Sequence, residues 1–84
     1  MEFLLPKRSH LMILHGEIFI ELHYTNYTVH CVIDVTDAYN CLDLRLTEDE
    51  DYLKRQLDDI GDPVDIAEQC FDQGAEIEIL KVWE

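Results

Sequence analysis

Residue types able to do chemistry are few in this chain and widely spread. The histidines are His10, His15, His23 and His30, and the cysteines are Cys31, Cys41 and Cys70. If the segments around Glu21 and His30 pair as a hairpin, His23, His30 and Glu21 come together on one strand face. Two imidazoles and a carboxylate can bind zinc, with a fourth position left open. Nothing else in the chain fixes ligand geometry, and polar residues commonly fill a strand face that meets solvent or a partner. No metal and no cofactor are therefore expected. A cysteine nucleophile needs a nearby base and a lowered pKa. Cys31 and Cys70 fall on inward faces, as small buried hydrophobes do, and Cys41 is placed at a strand start. With three glycines the chain offers no loop to cradle a phosphate. No catalytic residue stands out, and an enzyme is not expected.

Charge is the stronger signal. The chain has 84 residues, with 19 acids against 6 bases and a net charge of −13. Residues 1–46 hold 6 acids and 3 bases (net −3), whereas residues 47–84 hold 13 acids and 3 bases (net −10). Direct nucleic-acid binding needs Lys and Arg to neutralise phosphates, so it is not expected. In DDIGDPVDIAEQCFDQG, residues 58–74, six carboxylates occur with no Lys or Arg. These are Asp58, Asp59, Asp62, Asp65, Glu68 and Asp72. Asp62 reads as a helix cap and Asp65 as a first-turn acid stabilised by the helix dipole. Asp58 and Asp59 have basic residues four positions back, Lys54 and Arg55, and Asp51 has Arg55 four ahead. Glu68 and Asp72 have no such relief. With Asp65 they form a stripe spanning about 60° of the helix. Its steps of roughly 5–6 Å are comparable to phosphate spacing along a nucleic-acid strand.

The elements that must position these residues follow from periodicity. A single domain over 1–84 is expected. Its 48% hydrophobic content suits a modest core, and no apolar run approaches a membrane span. The odd, scattered cysteines and the absence of a secretory pattern at the N-terminus suggest a soluble cytoplasmic protein. EIFIELHY (17–24) and YTVHCVIDV (27–35) alternate as strands joined through Thr25-Asn26, a turn expected to use the left-handed tolerance of Asn. Ile18, Ile20 and Leu22 then face inward opposite Ile33, Cys31 and Val29. HLMILHGEIFI folds back at His15-Gly16, with Leu11 and Ile13 inward. CLDLRL (41–46) alternates, with Leu42, Leu44 and Leu46 inward. Thr47 and Glu50 form a capping box for one helix, lined inward by Leu53, Leu57 and Ile60 and ended by Gly61. Asp62 and Pro63 start a second helix, with Val64, Ile66, Ala67, Cys70 and Phe71 inward and Gly74 at its end. AEIEILKVW (75–83) is a final strand. The expected fold is α+β: an antiparallel sheet of about five strands, ordered as a β-meander, two helices and a final strand, with both helices on one face.

The sheet face opposite the helices collects Met12, Leu14, Phe19, Val32, Leu80 and Val82. Such a patch is either an association surface or is covered by the N-terminal Phe3, Leu4 and Leu5. Together these features suggest a non-enzymatic acidic inhibitor. It would dock through Asp65, Glu68 and Asp72, with Asp58 and Asp59, on a basic protein surface of a nucleic-acid-binding protein or complex. This is the type used in phage and mobile-element counter-defence, including DNA mimics and anti-CRISPR proteins. The alternatives are an immunity protein or antitoxin for a basic nuclease, or a homodimeric accessory subunit associating through Met12, Phe19, Val32, Leu80 and Val82.

Overall fold

In the computed structural model, residues 8–75 are described together with the backbone of residues 77–83. Three strands come first, β1 (Arg8–Leu14), β2 (Glu17–His23) and β3 (Tyr27–Asp34). Three helices follow, α1 (Val35–Leu42), α2 (Glu50–Ile60) and α3 (Pro63–Asp72), and the strand β4 (Ile77–Trp83) comes last. The sheet is antiparallel with strand order β1-β2-β3-β4. The class is therefore α+β, with four strands among the described residues instead of about five, and three helices instead of two. No helix among the described residues is long and apolar enough to cross a membrane.

The hairpin register agrees with the alternation. Ile18 lies opposite Ile33, Ile20 opposite Cys31, Leu22 opposite Val29, and Glu21 opposite His30. The β1–β2 turn is His15-Gly16, both with positive φ (52° and 77°), and this matches the twist of a two-residue hairpin. The β2–β3 turn was expected to need a left-handed Asn26. Among the described non-glycine residues, however, only His15 and Asp43 have positive φ. The hairpin closes without it, through the Tyr24 amide donating to the Tyr27 carbonyl at 2.9 Å.

The inward sheet residues Ile18, Ile20, Leu22, Cys31 and Ile33 are buried. Ala38 from α1, Leu53 and Leu57 from α2, and Ile66 and Cys70 from α3 cover them. Among the described residues no buried side-chain polar atom lacks a hydrogen-bond partner. Burying a Leu or Ile side chain contributes roughly 1.5–3 kcal/mol, so this two-layer contact dominates the stability. In register, Ile77 and Ile79 of β4 lie opposite Ile33 and Cys31.

The missing fifth strand is accounted for by α1. Asp34 ends β3 in an extended conformation, and its carboxylate accepts the Thr36 amide at 2.8 Å, capping a helix. The helix takes in Cys41 and Leu42 before Asp43 ends it in a left-handed conformation (φ 53°). CLDLRL thus gives its first two residues to the helix and the other four to a loop, and Leu46 is 81% exposed, not inward. The loop is pinned from both sides. The Tyr39 hydroxyl donates to the Thr47 carbonyl at 2.8 Å, and the Gln56 amide makes reciprocal bonds with the Arg45 backbone at 2.7 and 3.0 Å. The cap of α2 is Asp49, whose carboxylate accepts the Asp51 and Tyr52 amides. The expected cap, Thr47, stands two residues before it and accepts the Asp49 amide with its hydroxyl.

α3 begins as expected, with Asp62 as cap and Pro63 in the first turn. The box is reciprocal: the Asp65 amide donates to Asp62 Oδ1 at 3.1 Å, and the Asp62 amide donates to Asp65 Oδ2 at 3.3 Å. Gly61 makes room for it. At φ 157°, a methyl group added there would lie 2.6 Å from Asp65 Oδ2. Gly61→Ala is expected to displace that carboxylate and destabilise the protein by about 1–2 kcal/mol. Urea denaturation checks this: an unchanged midpoint would mean that the box does not hold the helix start.

Candidate functional site

α3 presents the acidic face, and the structure divides its members. Asp65 is exposed, but its carboxylate belongs to the capping box. Glu68 and Asp72 are exposed, and neither makes an ion pair among the described residues. The last turn of α3 holds no basic residue, so Asp72 adds a negative charge at the negative end of the helix dipole. That placement disfavours the fold by roughly 0.3–1 kcal/mol. Of the two acids ending α2, Asp58 is paired: Lys54 Nζ lies 2.9 Å from its Oδ1. Both side chains are well exposed, so the pair contributes only a few tenths of a kcal/mol. The other expected helix pairs, Asp51–Arg55 and Arg55–Asp59, do not form, and Asp59 stays exposed and uncompensated.

Phe71 was assigned to the core and is 64% exposed. The buried line of α3 is Ile66 and Cys70. One residue past Cys70, Phe71 lies about 100° further round the helix, on the margin between the core and Glu68. The helical wheel carries that signal, although the residue type alone points inward. An apolar ring therefore stands in solvent between Cys70 and Asp72.

Two aromatic residues flank the β2–β3 turn. Tyr24 and Tyr27 stack with ring centres 4.9 Å apart and planes 20° apart. Burial, and then the neighbouring Tyr27, Cys31 and Glu68, push the Tyr24 phenol above its ordinary range. Glu68 thus lies within electrostatic reach of Tyr24.

The opposite face of the sheet has different chemistry. Paired positions form cross-strand rows: Met12, Phe19 and Val32 in one, and His10, Glu21 and His30 in the next. Met12 is 55% exposed and Leu14 43%, while Phe19 and Val32 are half-buried. Leu80 and Val82 hold register positions opposite His30 and Thr28. Their side chains, and the Phe3, Leu4 and Leu5 expected as a cover, lie outside the described residues. Glu21 sits between two imidazoles. Its Oε2 is 3.8 Å from His23 Nε2 and its Oε1 is 3.9 Å from His30 Nδ1. His23 also meets Thr28 Oγ1 through Nδ1 at 3.3 Å and packs edge-on to His10 at 5.7 Å. His10, Met12, Phe19, Glu21 and His30 line an open hollow of about 350 Å³. The sequence therefore did bring His23, His30 and Glu21 together. Among the described residues, however, no group of three His, Cys, Asp or Glu side chains is arranged to hold a metal ion.

The cysteines are free thiols. Cys31 and Cys70 lie inward as expected, while Cys41 is half-buried in α1, not at a strand start. Burial pushes the Cys31 thiol up, and burial with a smaller contribution from Cys41 pushes Cys70 up to about 11. Neither buried sulfur presents a thiolate at neutral pH.

No protein-family model, curated protein or solved structure matches the chain. Its function has to be read from the chemistry of its surfaces.

The raised Cys70 value has a stability consequence. The thiol ionises near its ordinary value of 9.0 in the unfolded chain but only at about 11 when folded. The protonated thiol therefore favours the folded state fully below pH 9, and that contribution is lost as pH rises towards 11. The urea midpoint of the wild type is expected to fall across this window. Cys70→Ala should start lower and fall less, whereas parallel curves would rule out the thiol as the source.

Proposed function

We propose that the chain is a non-enzymatic acidic binding protein whose α3 face docks on a basic, nucleic-acid-binding surface of a target protein. The observation that carries this reading is the uncompensated pair Glu68 and Asp72. Both are exposed on a helix with no basic side chain in its last turn, and Asp72 sits where the helix dipole opposes it. Local physics explains Asp62 and Asp65 through the cap, and Asp58 through Lys54. It does not explain Glu68 and Asp72, whereas Lys and Arg side chains across an interface would. The exposed ring of Phe71 beside Asp72 supports the same reading. Interface cores favour aromatic residues over charges, and acids suit the rim.

A surface built to hold phosphates presents Lys and Arg in rows, and a row of carboxylates on a rigid helix is its complement. Occupying such a surface excludes the nucleic acid, so binding alone inhibits. This is the mode of the small counter-defence inhibitors used by phages and mobile elements, among them DNA mimics and anti-CRISPR proteins. It needs no cofactor and no catalytic group. Association would be steered by the net charge of −13 and screened by salt.

The test is capture of a partner by the immobilised chain from a host lysate, washed at about 50 and about 500 mM salt. The captured partner should be a basic nucleic-acid-binding protein, largely released at the higher salt. Glu68→Lys with Asp72→Lys should lose it, while leaving the Asp62–Asp65 box intact. Capture that persists in the double variant and at high salt would return these acids to a purely solubilising role.

A further inference from the structure

We infer that the loop between α1 and α2 carries a short strand edge, centred on Leu46, that takes up an extended basic segment of another protein by backbone pairing. The inference does not depend on the α3 reading, because it concerns a different segment and a different kind of contact.

The residues on either side of Leu46 are held by their backbones. Gln56 of α2 spends its side-chain amide on Arg45. Its Oε1 accepts the Arg45 N–H at 2.7 Å, and its Nε2 donates to the Arg45 carbonyl at 3.0 Å. Tyr39 of α1 holds Thr47 with a single hydroxyl, which accepts the Thr47 N–H at 3.2 Å and donates to the Thr47 carbonyl at 2.8 Å. A residue offers both its N–H and its C=O to one partner where the two groups point the same way. That is extended backbone, as in the hydrogen-bonded pairs of an antiparallel ladder. Gln56 and Tyr39 thus act as a neighbouring strand would. Tyr39 is itself packed against the core, which anchors the clamp.

Along an extended chain the backbone groups of successive residues point to opposite edges. The N–H and C=O of Leu46 are therefore turned away from those of its clamped neighbours. Among the described residues they have no hydrogen-bond partner, and neither have those of Leu44. The Leu46 side chain is 81% exposed. An unpaired donor and acceptor beside an exposed apolar side chain, on a backbone already held in place, form a template for strand addition. Because the segment is ordered in the free protein, little entropy is lost when a second segment pairs with it.

The charge around this edge selects its occupant. Residues 43–51 hold five exposed acids, Asp43, Glu48, Asp49, Glu50 and Asp51, against one base, Arg45. The same edge of a second copy would set these acids against themselves. A segment in which Lys or Arg alternates with apolar residues sets an apolar side chain beside Leu46 and cations towards the acids.

A blocked hexapeptide of alternating lysine and valine tests this, titrated from about 10 µM to about 2 mM into the isotope-labelled full chain and followed by its amide NMR shifts. The Leu44 and Leu46 amides should shift and saturate. Two twins of the peptide carry N-methyl groups, one at its valine amides and the other at its lysine amides. Strand addition uses one edge of the peptide, so one twin should bind like the parent and the other about tenfold or more weaker. Glu68→Lys with Asp72→Lys should leave these shifts in place, which separates this edge from the α3 face. Gln56→Ala should keep the folded circular-dichroism signal and weaken the peptide several-fold, because Arg45 loses its clamp. Twins that bind alike would show that charge alone holds the peptide, and would overturn the proposal. So would shifts confined to Glu68 and Asp72, an unshifted Leu46 amide, or an affinity indifferent to Gln56→Ala. Binding that appears only after removal of residues 1–7 would overturn it too, by making the chain's own beginning the occupant.

Discussion

Side chains on a strand alternate, and the rest of this molecule depends on that constraint. Because β2 and β3 pair with Ile18 against Ile33 and Ile20 against Cys31, one face of the hairpin is wholly apolar and must be covered. The helices supply the cover. The same register, by necessity, delivers Phe19, Glu21 and His23 with Val32, His30 and Thr28 to the other face. A slip by one residue would turn the slipped strand's isoleucines to the other face. The core and the histidine-lined hollow are thus two consequences of one pairing, and neither can change without the other.

The second constraint is charge. Nineteen acids on a small chain would be hard to place on a random surface, yet several are used by the fold itself. Asp34, Asp49 and Asp62 each cap a helix, and Asp65 completes a box. A carboxylate at a helix start satisfies amides that would otherwise lack partners. The acidity therefore has a structural share, concentrated at three helix beginnings, and a residue that the fold does not use. Glu68, Asp72 and Asp59 belong to that residue. They stand on the layer opposite the histidines, so the protein has two unlike surfaces back to back.

Much of this was legible in the residues. The hairpin register, the His15-Gly16 turn, the Asp62-Pro63 helix start and the inward stripe of α2 all follow from patterns in which local preference and burial agree. The failures occurred where two patterns competed. CLDLRL alternates as a strand should, but Asp34 caps a helix just upstream and carries the chain through Leu42 before the alternation can pair with anything. Thr47 and Glu50 match a capping box, but Asp49 lies nearer the first turn and takes both amides. Phe71 was assigned inward by its hydrophobicity, against its angle on the helix. The ion pairs of Arg55 obeyed the four-residue spacing and still did not form, since an exposed pair gains too little to order two long side chains. At the candidate surface, the sequence picked out the acids but not the exposed ring beside them.

The strand order also sets a sequence of events. β1, β2 and β3 are neighbours in the chain as well as in the sheet, so their pairing closes only short loops. β4 joins β3 across the whole helical segment, and its pairing costs far more loop-closure entropy. The meander is therefore expected to form first and β4 to dock last. In the interval β3 is an open edge, bearing unpaired amides along Tyr27–Asp34 beside a face of isoleucines. Such an edge can pair with another chain. A slow final docking would thus make this protein most vulnerable to aggregation before the fold closes, and the strong negative charge of the segment between β3 and β4 would then serve as kinetic protection, holding partly folded copies apart until the last strand is in place.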